Sequence, residues 1–145
     1  MRMEIDGFDE LLQALDKATA GTKDACIRAV DKAAPILKKT LSGEITKAAI
    51  RGYATGELAG SVSAMKAKEN ELGVFSVVGV RGTDKNGIAN EDKLLWLENG
   101  TMRSRGGLMK RAGPVRRRAV NSAKAECEAV MEQEISQFMD ETFGE

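Results

Sequence analysis

The chain contains no histidine. That absence removes Ser-His and Cys-His nucleophile pairs and every histidine-ligated metal site. No glycine-rich loop leads into Lys-Ser or Lys-Thr and no Gly-x-Gly-x-x-Gly occurs, so the familiar nucleotide cradles are absent and no cofactor is expected. Cysteine is scarce: Cys26 and Cys127 lie far apart, each on an apolar helical stripe. Free thiols in a reducing compartment explain them better than a disulfide, and two thiols alone make no zinc site. Aromatic residues supply only 4% of the chain although 42% is hydrophobic. Alanine, valine, leucine and methionine must therefore build most of the core, burying little area per side chain, and oligomerisation is expected to add stability. No apolar run is long enough to span a bilayer and the opening residues lack a basic stretch followed by an apolar one, which sets the expectation of a cytoplasmic protein without a membrane partner. The formal net charge is zero, so overall charge points to neither nucleic acid nor membrane.

At 145 residues the chain is expected to form one domain, residues 1–145. Met3 to Ile5 reads as a short strand. Asp6 or Asp9 caps a first helix to about Ala18, with Phe8, Leu11, Leu12 and Leu15 as its apolar face. Gly21 is expected to break it. A longer helix follows from Thr22 or Asp24, with the stripe Cys26, Ala29, Val30, Ala33, Leu37, Leu41, Ile45 and Ala48. Pro35 inside that stripe predicts a kink or break. After a loop from Arg51 to Glu57, the segments Leu58–Lys68 and Gly73–Arg81 read as two strands. Gly82 to Asp92 reads as an exposed polar excursion; its resemblance to a calcium loop lacks the alternating oxygen ligands and the distal glutamate.

The run Leu94-Leu95-Trp96-Leu97 holds the single tryptophan and reads as a core element buried on both sides. Asn99-Gly100 reverses the chain, and Glu98 is expected to serve as a cap or ion-pair partner rather than as a catalytic carboxylate. Pro114 opens a last helix whose stripe is Val120, Ala123, Cys127, Val130, Met131, Ile135 and Phe138. Glu132 and Glu134, two apart, face different directions on it. The expected fold class is α+β: a small antiparallel sheet (about 58–101) flanked by N-terminal helices (about 8–50) and a C-terminal helix (about 114–143).

Charge is split within the C-terminal region. Arg103, Arg105, Lys110, Arg111, Arg116, Arg117, Arg118 and Lys124 occupy residues 102–125 with no acidic residue among them. Residues 126–145 then carry seven acidic side chains, including Glu128, Glu132 and Glu134, and no basic one. Cations at a helix N-terminus and carboxylates at its C-terminus oppose the macrodipole, by roughly 0.3–1 kcal/mol for each poorly placed charge. Such a helix predicts partners outside itself: a phosphate backbone at the basic end, or a neighbouring copy joined head to tail.

Several motifs follow one another in a familiar order. They are Ile5-Asp6-Gly7, Leu11-Leu12 in a first helix, a long alanine-rich helix, and Thr55-Gly56-Glu57-Leu58-x-x-Ser61-Val62. A valine-rich strand, Leu97-Glu98-Asn99-Gly100-Thr101, Ala112-Gly113-Pro114 and an arginine-led helix complete the series. Together they resemble the tail-completion (head–tail joining, neck) proteins of long-tailed double-stranded DNA bacteriophages. The sequence departs from that pattern at Pro114-Val115, where a proline–aromatic pair is usual, and at Gly52-Tyr53-Ala54, where a proline is usual. The resemblance implies an α+β structural virion protein without enzymatic activity. It would assemble as a homo-oligomeric ring, a hexamer being one candidate, in contact with other neck or tail proteins and with DNA in transit. It would be made in the host cytoplasm and then reside in the virion. Thr55, Gly56, Leu58, Ser61, Leu97, Glu98, Gly100 and Thr101 carry the motifs and read as structural: Thr55 as a cap or turn, Gly56 as a free backbone, Leu58 and Val62 on strand faces. The alternative is a small nucleic-acid-binding protein using the 103–118 basic segment.

Overall fold

A computed structural model describes residues 8–50, 56–100, 102–103, 107–108 and 113–144. The expected strand at Met3–Ile5 and residues 51–55 of the expected loop at 51–57 lie outside them, while Gly56 and Glu57 of that loop fall in a short helix. One helix, α1, runs unbroken over Phe8–Ile50, which corrects both expected interruptions. At Gly21 the reason is packing. A Cβ there would lie 2.6 Å from Cε2 of the Phe138 ring, so the glycine is a site of close helix approach and not a stop. Pro35 removes one backbone donor, yet α1 continues because both sides of it are held by the C-terminal helix α4, Val115–Phe143. Lys32 pairs with Glu134 before the proline and Glu44 with Arg118 after it. Tertiary packing, more than local propensity, stabilises such helices.

The two helices run antiparallel: Gly21 meets Phe138, Arg28 meets Glu134, the Cys127 thiol lies 3.6 Å from the Ala33 carbonyl, and Glu44 meets Arg118. Pro114 is the N-cap residue of α4, without a side-chain cap of its own. The buried stripe of α4 is Val115, Ala119, Ala123 and Glu134, while Val120, expected inside, is half exposed.

Between the helices in sequence, α2 is a single turn, Gly56–Gly60, so the expected strand does not begin at Leu58. Strands β1 (Val62–Ala64), β2 (Lys68–Asn70), β3 (Gly73–Phe75) and β4 (Val78–Val80) form one long hairpin in two ladders. Val62 pairs with Val80 and Ala64 with Val78; Lys68 pairs with Phe75 and Asn70 with Gly73. Between the ladders, residues 65–67 face only 76–77, which makes a bulge. The Asn70 side chain accepts the backbone N–H groups of Leu72 (2.9 Å) and Gly73 (3.1 Å), closing the tip. The hairpin lies along α1, where Asp31 Oδ1 accepts the Ala67 N–H at 2.7 Å and Lys23 pairs with Glu69.

Helix α3, Asn90–Asn99, replaces the expected two-sided core element. Leu94 and Leu97 are buried, whereas Leu95 and Trp96 are 46% and 44% exposed. The apolar run spans a full helical turn, so only one side of it can face the core. The excursion before it is pinned. Asp84 accepts N–H bonds from Asn86 (2.8 Å) and Ile88 (2.9 Å) and pairs with Lys93 at 2.6 Å, so its oxygens serve its own chain. The basic loop carries a short ladder, β5 (Met102–Arg103) with β6 (Gly107–Leu108). The fold is α+β and mostly helical, with the core formed by Leu41, Ile45, Ala48, Leu58, Val62, Val80, Leu94, Leu97, Val115 and Ala119. No helix among the described residues is long and apolar enough to cross a membrane.

Candidate functional site

The two motif segments, some forty residues apart in the chain, meet in one place. Leu58 and Val62 from the first and Leu97 from the second are all buried in the same core. Ser61 closes the short helix, its hydroxyl donating to the Leu58 carbonyl at 2.7 Å. Gly56 has open space around its Cα and no positive φ, so the freedom of glycine is not what that position uses. Gly100 does use it: at φ 81° it caps α3, its N–H donating to the Trp96 carbonyl at 2.7 Å. Thr55 and Thr101 lie outside the described residues.

Glu98 joins α3 to the start of α4. Its Oε1 accepts the backbone N–H of Arg116 at 2.8 Å, filling the capping place that Pro114 leaves empty. Its Oε2 accepts from Arg116 Nε (3.0 Å) and from the same guanidinium's second amino group (2.7 Å). Glu91 takes the remaining amino group at 2.8 Å. The bond to Glu98 is the main reason that the Arg116 guanidinium holds its proton more tightly than usual. The expectation of a cap or ion-pair partner is met in both senses.

Part of the split charge of α4 finds partners outside the helix but within the same chain. A carboxylate from α3 sits at the helix N-terminus, and Arg116 and Arg118 reach Glu98 and Glu44 of the same chain. At the other end, Glu134 is buried between α1 and α4, with Arg28 Nε at 2.9 Å from Oε1 and Lys32 Nζ on Oε2. Those two cations, Lys32 first, hold its carboxyl below the usual glutamate range. Glu132, two residues away, is exposed, so the pair faces different directions as its spacing predicts. Arg117 and Glu132 have no ion-pair partner among the described residues, and Glu128 has only Lys124 at 3.9 Å. Arg103 falls in β5; Arg105, Lys110 and Arg111 lie outside the described residues.

Sequence reasoning missed Glu44, Arg28, Lys32 and Glu91. A signal for the first existed. Glu44 sits at stripe spacing between Leu41 and Ala48, where a carboxylate must be buried and paired. It is: Lys47 lies at 2.9 Å and Arg118 at 3.3 Å, and Lys47 leads in lowering its pKa.

Among the described residues no group of three or more Cys, Asp or Glu side chains could hold a metal. Burial raises the pKa of the Cys127 thiol, which favours the unreactive protonated form. What the described surface does offer is apolar: Leu72, Phe75, Val77, Leu95, Trp96, Val120, Met139 and Phe143 are exposed. No family model matches the chain, and no curated protein or solved structure matches it.

Proposed function

We propose that this chain is a structural, non-enzymatic subunit of the neck or tail tip of a long-tailed double-stranded DNA bacteriophage, working as a homo-oligomeric ring. The ordered motif set carries the reading. It is supported by the meeting of the described parts of the two motifs, 56–62 and 97–100, around one core, with Leu58, Val62 and Leu97 buried there. Exposed large apolar residues on the hairpin, α3 and α4 add support, because such side chains mark association surfaces when they recur on a small subunit. The other phage proteins it meets are neck and tail components, with DNA passing through the ring.

Electron microscopy and native mass spectrometry, with and without purified tail tubes, test the proposal. Rings at high concentration or on the tube ends are expected. A strictly monomeric protein that also ignores tail tubes defeats it. Nucleic-acid binding through the basic segment is the weaker reading, because Arg116 and Arg118 are engaged by Glu98 and Glu44. Arg117 has no ion-pair partner among the described residues and is open to it. Binding to duplex DNA with log K falling by about 0.9 per phosphate contact per decade of salt would revive it.

A further inference from the structure

Two groups of exposed charge lie on opposite flanks of α1. The α1 stripe Gly21, Ala25 and Ala29 faces α4, since Gly21 touches Phe138 and both alanines are buried. Lys23 and Asp31, which hold the hairpin, are each two residues from one of those alanines. Two residues are about 200° around a helix of 3.6 residues per turn. The hairpin and α4 therefore cover opposite sides of α1.

Each flank has an outward face of defined chemistry. On the hairpin, Glu69 reaches Lys23 of α1, so its cross-strand partner Val74 shares the inward side. The neighbouring pair, Lys68 and Phe75, points away by strand alternation, and Val77 follows Phe75 on the same side. Phe75 and Val77 are exposed, as are Lys66 and Lys68, and neither lysine has an ion-pair partner among the described residues. On α4, Glu128, Glu132 and Met139 form a stripe at spacings of four and seven, on the side away from the buried Ala123 and Glu134. The hairpin flank offers Lys68, with the exposed Lys66 in the adjoining bulge, beside two apolar side chains. The other offers two carboxylates and an exposed methionine.

We infer that the outward hairpin face of one copy docks on the outward α4 stripe of a second copy, placing Lys66 and Lys68 against Glu128 and Glu132. Phe75 and Val77 then have Met139 to pack against, and the two-stranded ribbon, marginal by itself, gains a covering layer. Because the matching surfaces lie on opposite flanks, the contact is heterologous and repeats from copy to copy, closing into a ring if the rotation allows. The inference deepens the ring reading and rests on it. It replaces the basic start of α4 with the hairpin as the source of cations.

Charge reversal in the full chain, read by sedimentation and native mass spectrometry at low salt with and without tail tubes, tests the contact. Lys66→Glu with Lys68→Glu should weaken self-association about tenfold, and Glu128→Lys with Glu132→Lys should do the same. All four together should return affinity to within about threefold of wild type, since complementary charges set the register. Circular dichroism and melting temperature should not move, because all four side chains are exposed. Hairpin variants that assemble like wild type overturn the docking while leaving the ring reading intact. A wild-type protein that neither self-associates nor coats tail tubes overturns both. Cysteines at Lys68 and Glu132 give an independent readout, with Cys26 and Cys127 changed to alanine. Oxidation should link separate chains into ladders, and a product that stays monomeric overturns the contact.

Discussion

The two ends of α1 are held by different physics. Toward its C-terminus, Leu41, Ile45 and Ala48 pack with Leu58, Val62, Val80, Leu94, Leu97 and Val115. Toward its N-terminus, the buried side chains among the described residues are alanines: Ala18, Ala25, Ala29, Ala33 and Ala34. Branched side chains interlock and bury large areas, so the first end is specified by shape. Alanines let helices approach closely but bury little area and mark no register. At that end Glu134 with Arg28 and Lys32, and Gly21 under the Phe138 ring, supply the alignment that apolar volume does not. A sequence poor in aromatics can thus build a long two-helix shaft, provided that polar contacts say where the helices stop sliding.

The contrast breaks most visibly at the packed end. Leu94→Ala removes a fully buried side chain and should cost about 3 kcal/mol in urea unfolding, the transfer loss plus the cavity left behind. An unchanged midpoint would mean that the core does not depend on α3. Next comes Glu98→Ala, which uncaps α4 and strips Arg116 of its main partner. A loss of about 2 kcal/mol is expected, at the upper end for a helix cap, and Arg116→Lys should recover less than Arg116 itself provides. The shaft is tested by Gly21→Val, which drives a side chain into the Phe138 ring. It should cost about 1 kcal/mol through overpacking, and adding Phe138→Ala should relieve most of the strain. If the second change makes matters worse, the close approach is not the reason for the glycine.

Glu134→Lys should lower the melting temperature more than Glu134→Gln, because it sets three cations together where one carboxylate now holds two. Equal effects would show that the pairing is incidental. The smallest effect is a matter of pH. Asp84 has its pKa lowered to about 2, first by the bond to Lys93 and then by the Ile88 and Asn86 N–H groups. A carboxylate with a depressed folded pKa stabilises the fold above its unfolded pKa and loses that contribution as pH falls toward the folded one. Acid titration between about pH 4 and 2 should therefore loosen the 82–89 loop in wild type. Asp84→Asn should be weaker at neutral pH and flatter across that window. Hydrogen exchange of the Asn86 and Ile88 amides provides the measurement.

Much of this was readable before any coordinates. Of the expected α1 stripe, Ala29, Ala33, Leu41, Ile45 and Ala48 are buried and Cys26, Val30 and Leu37 are half-buried, and the α+β order of parts is as expected. The role of Glu98 was legible as a type but not in its destination. An element-ending glutamate commonly caps its own neighbourhood, and this one caps a helix that begins seventeen residues later. The misreadings share a cause. Gly21 and Pro35 look like breaks because propensity scales describe an isolated helix, and neither position is isolated. Leu94 to Leu97 reads as buried on both sides because four apolar residues in a row carry no period to say which face is turned out. Val120 looked buried because a stripe can be drawn through it, whereas α4 turns that side outward.

Residue order alone determined the periodicities, the absence of any histidine-based site, and the uneven placement of charge, since each depends only on identity and spacing. Only the tertiary structure decided where each charge is spent. Arg116, Arg118 and Glu134 look available in the sequence and are bound within the chain, while Lys66, Lys68, Glu128 and Glu132 look ordinary and remain outward. The physical reason is that an ion pair depends on a few ångströms of separation. Arg28 and Glu134, more than a hundred residues apart, reach that separation only when α1 and α4 pack.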